Sequence, residues 1–175
     1  IVNGVLVTQD FTPNRFFHNY SGKNFVAAEE KFGLDDYDHA SSFAYIDIDN
    51  DGDLDIVTNT LYGPFKVFLN NEIERNSVTF KLRDEKGNHF CIGCKIIIHY
   101  ENSNKSQQMR EIKAGGGFRS FDPPTAHFGL GKSEKINKVV VVWSDGEVNT
   151  IENSFPSNRE YRIVRHAAGK KSKKK

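Results

Sequence analysis

The chain has two cysteines, one methionine and one tryptophan in 175 residues, and none of its apolar runs is long. Each scarcity closes a route. Cys91 and Cys94, spaced Cys-Ile-Gly-Cys, have no second pair with which to complete a four-ligand zinc site. A thioredoxin-type pair should open a helix after a strand, whereas Ile96-Ile97-Ile98-His99-Tyr100 continues as strand. The two thiols therefore read as small buried hydrophobes. Runs such as Val139 to Trp143 fall far short of the roughly twenty residues a membrane-spanning helix needs. The opening Ile1-Val2-Asn3-Gly4 carries neither an initiator methionine nor the basic-then-apolar pattern of a secretion signal, so the chain is expected to be an excerpt or a processed form.

Several catalytic and binding signatures are missing as well. There is no Gly-x-Ser-x-Gly elbow, and Ser120 has no following helix on which to build one. Gly115-Gly116-Gly117 is not followed by Lys-Ser/Thr, which excludes a phosphate-binding P-loop; the glycines read instead as sites of positive φ and close approach to a neighbouring strand. Outside the terminal lysines no stripe interleaves basic and aromatic residues, so specific nucleic-acid binding is not expected. The formal charge of +1 hides a mildly acidic body. Five lysines lie within Lys170–Lys175, and removing those five from +1 leaves −4. Residues 167–175 read as a solvated basic tail. Two glycosylation sequons, at Asn19 and Asn104, carry meaning only for a secreted eukaryotic chain.

What is present is enough apolar material for a core, 37% hydrophobic with 14 phenylalanines, and one conspicuous acidic stretch. Asp47-Ile48-Asp49-Asn50-Asp51-Gly52-Asp53-Leu54-Asp55 puts a carboxylate at every second position and a glycine where a tight loop must turn. Carboxylates crowded this way repel one another, and a hard divalent cation with six to eight oxygen ligands relieves the repulsion. Calcium is the expected ion. Asp47, Asp49, Asp51 and Asp55 would supply side-chain oxygens, and Asp53, at the seventh position, its backbone carbonyl. An EF-hand would need a bidentate Glu at the twelfth position, which here is Thr58, and helices on both flanks. The flanks Ser42–Ile46 and Ile56–Asn59 are β-branched and aromatic and predict strand, loop, strand. Sites of the extracellular type, with affinities of about 0.1–1 mM, stay filled only outside the cytosol, which makes the chain a secreted or surface protein by expectation.

The first seventy residues read as short strands over Gly4–Gln9, Arg15–Asn19, Phe25–Ala27, Ser41–Ile46, Leu54–Asn59 and Lys66–Asn70, with one helical piece, Val26–Phe32, stopped by Gly33. Pro13–Asn19 is echoed by Pro64–Asn70, a repeat of about fifty residues of the kind that builds propeller blades. Phe43–Val57 followed by Lys66–Asn71 resembles an FG-GAP or VCBS-type propeller repeat, over residues 1–72. That resemblance implies calcium held in the aspartate loop between blade strands. A closed propeller takes about four to eight four-stranded blades, so the remainder would belong to a longer chain or a partner.

The second half predicts longer strands over Asn76–Arg83, Cys91–Tyr100, Gln107–Ala114, Ile136–Trp143, Val148–Glu152 and Glu160–Arg165. Two punctuated segments interrupt them, Ala114–Pro124 and His127–Gly131. The order Gly-x-Gly-Phe-x-Ser, then His-Phe-Gly-Leu-Gly, then a valine-rich strand into Trp143-Ser144-Asp145-Gly146, resembles the ASPIC and UnbV domain over residues 73–166. The expected architecture is all-β, the terminal blade or blades of a propeller-type repeat followed by a sandwich-like or barrel-like β domain. The expected function is an extracellular calcium-binding module for adhesion or recognition of a protein or glycan partner. The alternative is an enzyme or enzyme fragment with a sugar or small-molecule pocket formed by Arg119, Asp122 and His127, the polar trio beside the two prolines.

Overall fold

Alternation in the second half sets the architecture. In Asn76–Asp84 (β6), Val78, Phe80, Leu82 and Asp84 point inward while Thr79, Lys81 and Arg83 point away. Ile96 and Ile98 of Lys95–His99 (β7) do the same. Period-two burial of this kind makes each sheet apolar on one face, and two such faces close against each other. The computed structural model describes residues 13–20, 22–71, 75–101 and 107–167. The strand expected over Gly4–Gln9, the Asn104 sequon and all but the first residue of the basic tail lie outside the described residues, as does the boundary at 72–73.

Seven strands form the second unit: β6, β7, Gln107–Glu111 (β8), Ala126–Gly131 (β9), Lys135–Val142 (β10), Val148–Pro156 (β11) and Arg159–Arg165 (β12). One sheet has the order β11-β10-β7-β8, all antiparallel; the other has the order β12-β6-β9, with β12 running parallel to β6. Between them lies one cluster that includes Val78, Phe80, Ile96, Ile98, Ile112, Phe128, Leu130, Ile136, Val139, Val141 and Trp143. Phe80 is its hub, with ring centroids 6.1 Å from Phe128, 6.0 Å from Phe155 and 5.5 Å from Tyr161. Ile136 and Val139 both face this core although three residues apart, because the register with β11 shifts between Ile136 and Lys138 and resets the alternation. The unit is a two-sheet sandwich, with no closed barrel among the described residues.

Two expectations need correcting here. His127–Gly131 is not an interruption but lies in β9, where Ala126, Phe128 and Leu130 alternate into the core and the glycines fall between them. Cys91–Cys94 does not begin β7. Asn88 clamps that stretch as a turn, its side chain bonding both the N–H and the carbonyl of Ile92 at 3.0 and 2.8 Å. Both cysteines are fully buried, as expected, but they are joined as a disulfide, which the packing reading did not foresee. The turn that Cys94 N–H closes onto the Cys91 carbonyl (2.9 Å) brings their Cα atoms to 5.3 Å, within disulfide range.

One corner of the sandwich is held by charge. Arg165 at the end of β12 grips the buried Asp84 carboxylate through Nε (3.1 Å) and Nη2, reaches Asp145 at 2.9 Å and Glu147 at 3.2 Å, and lies over the Trp143 ring at 4.6 Å. The guanidinium holds the Asp84 carboxyl below its ordinary range and takes Asp145 down to about 2.

The first unit is built from different material. Phe17–Tyr20 (β1) pairs with Asn24–Ala27 (β2) as a hairpin. The expected helical piece shrinks to a 3-10 turn, Glu30–Phe32, ended by Gly33 in the left-handed region (φ 67°). Ala40–Ile46 (β3), Asp55–Thr60 (β4) and Lys66–Phe68 (β5) form an antiparallel meander. Lys66 ties the meander to the segment before β3, with Nζ 2.6 Å from both Asp36 Oδ1 and Asp38 Oδ2.

Candidate metal centre

The acidic loop is the connection between β3 and β4, as the flanking residues predict, and its neck is the antiparallel pair Ile46 and Asp55. Asp55 is fully buried. Its Oδ2 accepts the Ile48 N–H at 2.8 Å and its Oδ1 accepts the Asn70 N–H at 2.9 Å, so one carboxylate fastens the start of the loop to the segment just beyond β5. Farther out, Asp49 Oδ1 accepts from Asp51 N–H (3.3 Å) and Asp51 Oδ1 from Asp53 N–H (3.0 Å). These side-chain turns wind the backbone tightly, and Asn50 (φ 61°) and Gly52 (φ 96°) take the left-handed conformations that the winding requires.

The outcome is convergence. Asp47, Asp49 and Asp55 each bring one carboxylate oxygen into a group whose members lie within 4.8 Å of one another. Oxygens bound to one calcium at 2.3–2.6 Å are separated by at most about 5 Å, so one ion of that size fits among them. Asp47 Oδ1 is shielded from solvent and has no hydrogen-bond partner among the described residues. A buried carboxylate oxygen in that condition is costly, and a cation held there would supply the missing partner. The donor set is all oxygen, which suits calcium and gives nothing to a soft metal. Asp51 and Asp53 follow in the same loop, outside that group of three.

The loop borders a cleft of about 380 Å³ between the two units, lined by polar and apolar groups alike, among them Ile46, Asp47, Leu54, Thr79, His127 and Asn158. His127 projects from β9 here, its Nδ1 3.1 Å from Thr79 Oγ1, and burial pushes the imidazole below its ordinary pKa against the opposing pull of Asp47. Asp122 lies elsewhere, in a hollow with Tyr45, Arg110 and Gly116. Arg119, at φ 55°, folds its guanidinium over Phe118 at 5.0 Å. The structure thus distributes the polar trio: His127 borders one cavity, Asp122 borders another, and Arg119 covers a neighbouring ring.

The glycine triplet beside Asp122 performs half of what its sequence suggests. None of Gly115, Gly116 and Gly117 has positive φ, but a side chain at Gly116 would collide with the Asp122 carboxylate. Sequence reading missed Ser77 altogether. Its hydroxyl donates to the Gly52 carbonyl at the turn of the acidic loop, twenty-five positions earlier in the chain. No motif marks a lone serine at the start of a strand as a docking residue.

An all-β sandwich preceded by an acidic strand-loop-strand unit is thus the class of protein at hand. Residues 84–170 match the family described as ASPIC and UnbV, which covers the sandwich from the end of β6 onward. The chain is 31% identical over 110 residues to cartilage acidic protein 1 of Xenopus tropicalis, an alignment that takes in 61% of this chain and 16% of that protein. With cartilage acidic protein 1 of Homo sapiens it shares 31% identity over 105 residues, 58% of this chain and 15% of the relative. The aligned part therefore amounts to about a sixth of the length of these relatives.

Proposed function

We propose that this chain is a calcium-stabilised β module of an extracellular protein, built to present a surface to a protein or glycan partner, with calcium in a structural role. The observation that carries the reading is the convergence of Asp47, Asp49 and Asp55 around a shielded, unpartnered Asp47 oxygen. Under this reading Asp51 and Asp53 complete the shell from the outer part of the loop. The β3-β4-β5 meander with its loop would then be blade material of the FG-GAP or VCBS kind, within a longer polypeptide.

One further observation favours an extracellular module: a disulfide such as Cys91–Cys94 persists where thiols are oxidised, outside the cytosol. No helix among the described residues is long and apolar enough to cross a membrane. Leu61, Tyr62 and Phe65 of the first unit are more than half exposed, apolar surface that a partner or further blade material would cover.

Calorimetric titration of calcium into the metal-free chain tests the proposal. Binding in the sub-millimolar to millimolar range is expected, abolished by Asp47→Ala together with Asp49→Ala. A flat titration at 5 mM calcium, on the order of five times the weakest affinity expected of such sites, would overturn it.

A further inference from the structure

The acidic loop is held from outside as well as from within, and the outside hold comes from the sandwich. Ser77, at the start of β6, has its backbone fixed on both sides by Asn158: its N–H donates to Asn158 Oδ1 at 3.0 Å and its carbonyl accepts the Asn158 N–H at 2.7 Å. Asn158 itself sits at φ 56° and is braced by Asn76 Oδ1 at 3.0 Å. With the backbone clamped, the Ser77 hydroxyl stands within reach of the acidic loop, and it donates to the Gly52 carbonyl at the apex. A Cβ at Gly52 would lie 3.0 Å from that hydroxyl, so the approach depends on glycine at this position.

A second hold lies on the strand leading into the same loop. Asp122 Oδ1 accepts the Tyr45 backbone N–H at 3.4 Å. Gly117 passes beside Phe43, and Phe118 lines an apolar hollow with Phe16, Phe43, Ile56 and Phe68. The sandwich thus touches the first unit at the loop apex and at β3, on either side of Asp47.

We propose that the acidic loop is a calcium-dependent latch between the two units: an ion among Asp47, Asp49 and Asp55 fixes the position of the Gly52 carbonyl, and Ser77 and Asp122 transmit that order to the sandwich. This rests on the calcium reading above and adds to it a coupling between ion binding and the seam. The physical basis is reciprocity. If the ion orders the surface that Ser77 and Asp122 grip, then releasing the grip weakens the ion by the same factor. In the empty loop the carboxylates repel one another, the apex samples other positions, and the seam loosens.

The test uses the whole chain with spin labels at Tyr62→Cys and Val148→Cys, exposed positions on opposite units, the native cysteines being bonded to each other. The distance distribution is expected to be narrow in 5 mM calcium and broad in chelator. Ser77→Ala combined with Asp122→Ala is expected to leave it broad in both conditions and to weaken calcium binding about three- to tenfold, the range that loss of hydrogen bonds of this kind accounts for. Ser77→Ala alone, which removes a single hydroxyl, is expected to move both readouts in the same direction by less, and it keeps the test available if the double variant does not fold. Failure of the unaltered chain to bind calcium overturns both the calcium reading and the latch. Calcium binding of equal strength in all variants, with distances indifferent to the ion, overturns the latch alone.

Discussion

The two halves of this chain handle apolar residues in opposite ways. The sandwich encloses Phe80, Phe128, Ile96, Ile98, Val139 and Val141 completely, while among the described residues up to 71 the only buried hydrophobic is Ala28. The first unit's other buried residues are polar or charged: Glu29, Asp55, Thr58 and Thr60. Phe17, Phe25, Phe43, Leu61, Tyr62 and Phe65 are all more than half exposed. A sandwich closes its core with its own second sheet. A three-stranded meander has no second layer and must rely on hydrogen bonds, ion pairs and, by the present proposal, an ion.

The sharpest way to break this comparison is to truncate one phenylalanine in each unit. Phe80→Ala should cost about 3–5 kcal/mol in urea unfolding, because the ring lies at the centre of a closed cluster. Phe65→Ala should fall within about 0.5 kcal/mol of the parent. Trp143, the single tryptophan, sits in the sandwich core and reports that unit's transition by fluorescence. Equal losses for the two substitutions would mean that the first unit has a core of its own.

Next in size is the disulfide. Reduction, or Cys91→Ala with Cys94→Ala, should destabilise the sandwich by about 2 kcal/mol, the chain-entropy value for so short a loop. Trp143 fluorescence should register it. Calcium acts on the other side of the comparison: at tenfold excess over its dissociation constant it should stabilise by about 1.4 kcal/mol, so chelator should lower the melting temperature by a few degrees. An unchanged melting temperature between saturating calcium and chelator would remove the ion from the stability of this unit.

The smallest expected effect is with pH. The folded-state pKa of Asp84 is lowered by Arg165, and that of Asp145 is lowered to about 2, so both carboxylates contribute stability above their unfolded pKa near 4 and lose it as pH falls toward 2. Arg165, raised further by the same partners, stays charged throughout. Melting curves should therefore be insensitive to these two carboxylates between pH 5 and 7 and move down between pH 4 and 2, with Trp143 reporting. A transition displaced above pH 5 would assign the acid limb to other groups.

Much of this was readable in the residues. Short runs rich in Ile, Val and Phe announced β6, β7 and β10, because strand preference is local and β-branched and aromatic residues carry it. The strand-loop-strand setting of the acidic loop was legible for a similar reason, but which carboxylates converge was not: Asp51, expected to offer a side-chain oxygen, stands outside the group of Asp47, Asp49 and Asp55. β9 was misread because Gly129 and Gly131 resemble punctuation, and only packing against β6 shows that Ala126, Phe128 and Leu130 form a face. The disulfide was missed because Cys-x-x-Cys does not state whether the intervening turn is tight, which Asn88 decides from three residues away. Arg119, Asp122 and His127 were grouped because they are close in sequence, yet β9 carries His127 to a different cavity from the one Asp122 borders.

Sequence alone determined the all-β class and the strand-loop-strand setting of Asp47–Asp55, since each depends on patterns within one element. Tertiary structure alone decided that Ser77 reaches Gly52, that Asp122 reaches Tyr45, and that Arg165 closes on Asp84, pairs separated by 25, 77 and 81 positions. Contacts over such distances follow from how sheets are ordered and stacked, and no local pattern encodes them.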